Sequence, residues 1–145
     1  MDRSQRSRWA VGVPAGLAGL LMGLLLGYAL RPAPEPARAI EETRTTLLGA
    51  AATLEIVGVE YAESVEDGRI VARSEHDAAL AALASSRERY GEAAEVVAVV
   101  SPVSARAIED GYEGLERMIR DLGDEDDVRA AAESLGDTLA AALRE

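Results

Sequence analysis

The sequence contains no Cys, no Phe, no Lys and no Asn. Without Cys there is no disulfide, no thiolate metal site, no nucleophilic thiol and no lipid-bearing lipoprotein cysteine. Without Lys every cationic side chain is Arg, and the joint loss of Lys, Asn and Phe is the mark of a GC-rich coding sequence. One His and no Ser on a recognisable nucleophile elbow leave no catalytic constellation, so a non-enzymatic role is expected. With no Phe and a single Trp, the apolar content falls mostly to Ala, Leu and Val. Ala and Leu are strong helix formers, which points to an all-α domain of closely approaching helices. A chain of 145 residues supports one such domain with one modest core.

Positive charge is also scarce, and unevenly placed. From residue 32 onward 11 Arg stand against 25 acidic residues, a net of −14. Nucleic acid as a partner needs a basic face and is excluded on this ground. An acidic surface suits solubility and attracts cations. Before residue 32 the balance reverses, with Arg3, Arg6, Arg8 and Arg31 against Asp2 alone.

What the sequence does have is one long apolar run. Trp9 to Leu30 spans 22 residues without a charge. At 1.5 Å per residue that is roughly 33 Å, enough to cross a hydrocarbon core. Trp9 and Tyr28 stand near its ends, where amphipathic rings favour the headgroup layer, and the preceding Arg residues hold the N-terminus in the cytoplasm. A cleaved signal peptide is the competing reading, with Ala37-Arg38-Ala39 in the small-x-small form of a cleavage site. The run exceeds the usual 7–15 apolar residues of a signal, so an uncleaved anchor is expected. Gly12, Gly16, Gly19, Gly23 and Gly27 fall within an arc of about 80° at 100° per residue, giving one smooth face. Such a face lets helix backbones pack closely in a membrane, with a second copy or with another membrane protein.

The expected division is a cytoplasmic basic head at 1–8, a transmembrane helix at 9–30, a Pro-rich spacer at 31–38 and an extracytoplasmic bundle at 39–145. Arg31 to Arg38 reads RPAPEPAR, whose alternate prolines favour an extended spacer. Four helical patterns follow. The first runs from about Pro36 to Glu66 on the stripe Ile40, Leu47, Ala51, Leu54, Gly58, Tyr61 and Val65, and Asp67-Gly68 closes it. The second begins at Ser74, with Asp77 as a variant capping box, and carries Leu80, Leu83, Arg87, Tyr90, Ala94 and Val97, with a bend at Gly91. The third is capped by Ser101 with Pro102 at its first position, carries Ile108, Tyr112, Leu115, Ile119 and Leu122, and stops at Gly123. Asp124 caps the fourth, with Val128, Ala132, Leu135, Leu139 and Ala142. Arg69 to Ala72 is the only strand-like stretch and is too short to carry a sheet. The fold expected is all-α: an antiparallel four-helix bundle behind one N-terminal transmembrane helix.

Two charged features have plain structural readings. Asp124, Glu125, Asp126 and Asp127 lack the spacing of a calcium loop and belong where a helix dipole favours acids. His76 lies in the first turn of the second helix and reads either as a surface residue or as a metal ligand.

The stretch Glu60-Tyr61-Ala62-Glu63-Ser64-Val65-Glu66-Asp67-Gly68-Arg69-Ile70, followed by Glu75-His76, resembles the helical extracytoplasmic domain of bacterial high-affinity iron permeases. Glu60, Tyr61, Val65, Asp67, Gly68, Ile70 and Glu75 fit that pattern, while His76 stands where Tyr is usual. The likeness extends loosely from about Leu47 to Leu143. It implies a bacterial inner-membrane location and a membrane-anchored accessory role in metal uptake or handling, with iron as the metal. The permease membrane part is missing, so this chain would act beside a permease partner and not as the pore. Glu113-Gly114-Leu115-Glu116 resembles part of the Arg-Glu-Gly-Leu-Glu iron motif of those permeases. Tyr112 replaces its Arg and the segment lies on an amphipathic helix, so a chance match is expected.

Two readings of the motif remain open. Tyr61 faces the core by spacing, its hydroxyl needs a partner such as Glu75 or another carboxylate, and Gly68 ends the helix, which makes the motif structural. Alternatively Glu60, Asp67, Glu75 and His76 form a hard-cation site, because carboxylate and imidazole suit iron. A bundle that associates through its glycine-faced anchor in a structural or sensory role, binding no metal, is the alternative function.

Overall fold

A computed structural model describes residues 36–144. The basic head, the apolar run with Gly12, Gly16, Gly19, Gly23 and Gly27, and residues 31–35 of the spacer lie outside the described residues. Among those described, no helix is long and apolar enough to cross a membrane.

The described chain is all-α apart from one small hairpin. In order it forms α1 (Pro36–Ser64), β1 (Val65–Glu66), β2 (Arg69–Ile70), α2 (Arg73–Gly91), α3 (Ala94–Val100), α4 (Pro102–Arg120) and α5 (Glu125–Ala141). Helix α1 therefore starts within the range expected for the spacer.

Leu47, Ala50, Leu54, Val57 and Tyr61 are buried along α1 at spacings of three and four, the apolar stripe of an amphipathic helix. The stripe is wider than one seam because α1 packs against two neighbours. On one side Ala50 faces Ser86 of α2 and Gly49 faces Arg89. On the other, Gly58 faces Arg129 of α5, and Ala51 faces Gly136. In both pairs the numbers rise along one helix as they fall along the other, so α1 runs antiparallel to α2 and to α5. Helix α4 is likewise antiparallel to both, with Arg87 against Glu109, Gly111 against Leu135 and Met118 beside Ala131. The result is an up-down-up-down bundle. Its centre is filled by Ile108, Tyr112, Leu115 and Ile119 from α4 and Val128, Leu135 and Leu139 from α5. Each fully buried apolar side chain of this size contributes about 1.5–3 kcal/mol.

Four local features differ from expectation. Ile40 heads the anticipated first stripe but is 46% exposed, because it lies a full turn before the point where α2 and α5 cover α1. Asp67-Gly68 closes a hairpin instead of capping the helix: Val65 pairs with Ile70 and Glu66 with Arg69. Both turn residues have positive φ, 50° at Asp67 and 67° at Gly68, the requirement of a type I′ turn. Helix α2 begins at Arg73 with no side-chain cap, and Ser74 bonds Glu75 instead of forming a capping box with Asp77. Finally, the second pattern is two helices. After Gly91 the Ala93 N–H bonds Tyr90 at 2.8 Å. That tight turn re-aims α3 so that Ala93 and Val97 are both buried.

The remaining boundaries follow the sequence. Ser101 caps α4 by accepting from the Ser104 N–H at 3.4 Å, with Pro102 in the first turn. Asp124 caps α5 through the Asp126 N–H at 3.0 Å. Helix α4 ends in a Schellman motif, Gly123 N–H to Met118 at 2.9 Å and Leu122 N–H to Ile119 at 3.3 Å. The left-handed residue there is Leu122 (φ 54°), not Gly123. Leu122 accepts that strain while packing against the core.

Gly68 and Gly91 separate backbone effects from packing, since a Cβ at either would meet nothing within 4 Å. Gly68→Ala is expected to cost about 1–2 kcal/mol, the penalty for a left-handed non-Gly residue. Gly91→Ala, without that constraint, is expected to be neutral or to stabilise by roughly 0.5–1 kcal/mol. Urea denaturation of the two variants checks both signs.

Candidate functional site

The end of the bundle that holds the hairpin gathers most of the sequence motif. Two side chains and the Ser64 carbonyl hold it together. Ser64 is fully buried and its hydroxyl donates to the Tyr61 carbonyl at 2.8 Å. Its own carbonyl accepts from Val71 at 2.9 Å and Ala72 at 3.3 Å, so the last turn of α1 is stitched to the chain entering α2. Tyr61 reaches across the domain, and its hydroxyl donates to the Gly123 carbonyl at 2.7 Å. The partner is thus a backbone carbonyl in the α4–α5 turn, not Glu75 or another carboxylate. A carbonyl left exposed by the end of α4 is satisfied by a hydroxyl that would otherwise be buried without a partner.

His76 sits beside this tie. It is 8% exposed, so the surface reading of it does not hold. Its ring centroid lies 6.3 Å from that of Tyr61 with the planes at 46°. Nε2 of His76 is buried with no hydrogen-bond partner. Leaving such a nitrogen unsatisfied costs about 1–3 kcal/mol.

The carboxylates of the candidate set are placed differently. Glu60 and Glu75 are half-buried, and Asp67 is exposed at the hairpin tip. Ser74 donates to Glu75 Oε2 at 2.6 Å and holds that carboxyl below its ordinary pKa. Among the described residues no three His, Asp or Glu side chains converge so as to hold a metal ion. The structure therefore brings His76 to Tyr61 but does not assemble Glu60, Asp67, Glu75 and His76 into a ready cluster. Glu113 is exposed, Leu115 points into the core, and Glu116 pairs with Arg87 at 3.5 Å and with Arg120, so that segment is helix surface and core.

A second polar group inside the bundle escapes a reading based on apolar stripes. Ser86 is fully buried between α1 and α4. Its hydroxyl donates to the Ala50 carbonyl at 2.9 Å. Its oxygen lies 2.8 Å from the Tyr112 hydroxyl, and with the Ser proton used on Ala50 it is Tyr112 that donates. Tyr90 stacks at 5.8 Å from Tyr112, and Arg87 lies 6.0 Å from its ring centre. The available signal was position: Ser86 lies three residues after Leu83 and four before Tyr90, on the buried face of α2.

Burial raises the pKa of all three core tyrosines. The Asp124 carboxylate adds to the effect at Tyr61 and Glu109 adds to it at Tyr90. At Tyr112 the Ser86 bond partly offsets it.

The family model of the iron permease-associated 4-helix bundle domain matches residues 36–145. No curated protein and no solved structure matches the chain.

The tyrosines set an alkaline limit on stability. Unfolded tyrosines ionise near 10, whereas Tyr61, Tyr90 and Tyr112 keep their protons to higher pH in the fold. Above about pH 10 the folded state binds more protons than the unfolded one, so stability falls as pH rises. Thermal melts from pH 9 to 11 should show this fall, and Tyr112→Phe should reduce it. At neutral pH Tyr61→Phe is expected to cost about 1 kcal/mol through the lost bond to Gly123.

Proposed function

The chain belongs to the iron permease-associated 4-helix bundle family, and from that premise we propose that it is a membrane-anchored, extracytoplasmic, non-enzymatic accessory in iron uptake, working beside a permease. The family match over 36–145 is the observation that carries this reading, and the uncharged run from Trp9 to Leu30 supplies the anchor it needs. A single apolar run does not form a pore, so in this reading iron crosses through the permease. The acidic surface, net −14 beyond residue 31, suits a protein that works where cations are concentrated before transport.

Direct contact with iron is favoured by one specific observation, the buried and unpartnered Nε2 of His76. Imidazole and carboxylate both suit iron. Glu60, Asp67 and Glu75 are the motif carboxylates proposed to join it, and they would have to close around His76 as cargo binds.

Cross-linking the full-length chain in intact cells tests the main reading: an iron permease of the same membrane should be captured, and its absence would sink the accessory role. Calorimetric titration of the full-length chain with ferrous and ferric iron tests the second. Binding that His76→Leu weakens at least roughly tenfold, about 1.4 kcal/mol, supports direct contact. The absence of binding at micromolar iron removes direct contact and leaves the docking role standing.

A further inference from the structure

The groove between α1 and α5 is built to receive a helix. Two adjoining cavities, about 530 Å³ and about 320 Å³, share Glu55, Ala132 and Glu133 and so form one channel along the pair. It extends from Leu48 to Glu63 on α1, sixteen residues with a rise of roughly 22 Å, the length of four helical turns. Its floor carries small apolar residues, Ala51, Ala62, Ala132 and Ala140 among them. Leu48 and Val59 stand at its edge, 45% and 59% exposed, and offer apolar surface to an occupant.

The flanks are acidic. Glu55 and Glu63 line the α1 side, and Glu133 and Asp137 the α5 side, all four exposed. Among the described residues none of the four is in an ion pair, while Arg129, the one cation lining the groove, is turned to Asp126. An apolar floor between two acidic rims selects its occupant. A second copy docking through the same groove would set the rims against each other, a like-charge contact that disfavours association. A metal ion is not what the groove fits, since no three of its carboxylates converge. We propose that the α1–α5 groove docks an amphipathic helix of a partner protein, with an apolar stripe on the floor and Arg or Lys along both flanks. Helix-in-groove recognition of this kind reads apolar anchors at i, i+3, i+4 and i+7, and the flanking charges set orientation. Nothing in the groove depends on iron, so it stands apart from the accessory reading.

The test uses the full-length chain in phosphatidylcholine nanodiscs. Because the sequence has no Cys, Ala52→Cys on the groove edge takes a single bimane label. Two 18-residue helical peptides share one Leu stripe and differ only in flanks, Arg in one and Glu in the other. The Arg-flanked peptide should change the label saturably, and the Glu-flanked one should bind at least roughly tenfold more weakly. Val59→Asp separates docking from general attraction. It adds a negative charge, which strengthens non-specific binding of a cation, yet it should weaken groove docking by about tenfold or more. Glu133→Arg should weaken binding as well, whereas Glu113→Arg, the same charge change on exposed α4, should not. Both sites are exposed, and circular dichroism checks that each variant is folded. No response, equal binding of the two peptides, undiminished binding to Val59→Asp, equal losses in the two Glu variants, or a dimer that Val59→Asp abolishes would each overturn the proposal.

Discussion

Everything in the bundle depends on α1 packing against two helices at once. A 29-residue helix is long enough to span the domain, and it lies between α2 and α5 along most of that length. One side meets α2 at Ala50 and Ser86, and the other meets α5 at Gly58 and Arg129. Small residues sit at both contacts: Ala50 lies against Ser86 of α2, and at Gly58 a Cβ would come within 3.3 Å of the Arg129 side chain of α5. Small residues at these contacts leave the large core side chains, Leu54, Tyr61, Ile108, Tyr112, Leu115 and Ile119 among them, to fill the bundle's interior.

Within this apolar core, buried hydroxyl groups add specificity. Tyr61 ties α1 to the α4–α5 turn. Ser86 joins α2 to α1 and receives the Tyr112 hydroxyl from α4. The hydroxyls of Tyr61, Ser86 and Tyr112 each bond a group on another helix or turn, and a shifted register would leave them unsatisfied at about 1–3 kcal/mol each. His76 Nε2 breaks that pattern. It is the buried side-chain nitrogen that has no protein partner among the described residues, which is why the proposed iron contact is placed there.

Much of this was legible in the sequence, for identifiable reasons. The third and fourth patterns began where α4 and α5 do because Ser101-Pro102 and Asp124 act within one turn of backbone. The motif from Glu60 to Glu75 pointed to the family that the match over 36–145 shows. Features that depend on tertiary contacts were less visible. Spacing put Tyr61 in the core but could not name a carbonyl 62 residues away as its partner. Asp67-Gly68 is equally a helix end or a hairpin turn until Val65 and Ile70 are seen to pair. Leu122 holds a left-handed backbone beside a glycine that would have taken it more easily, because its side chain is needed against the core. Of the candidate site, His76 and Tyr61 come together, and the carboxylates do not join them in a cluster.

Family, acidic surface and a single apolar run converge on one account: a tethered bundle that serves a separate iron permease. Its decisive consequence lies in flux. Radiolabelled iron uptake should be measured in cells that keep the permease but lack this chain, at iron concentrations low enough to limit transport. The account predicts a several-fold loss of uptake that the full-length chain restores and a version without residues 9–30 does not. Uptake equal to that of the parent cells at limiting iron would contradict it.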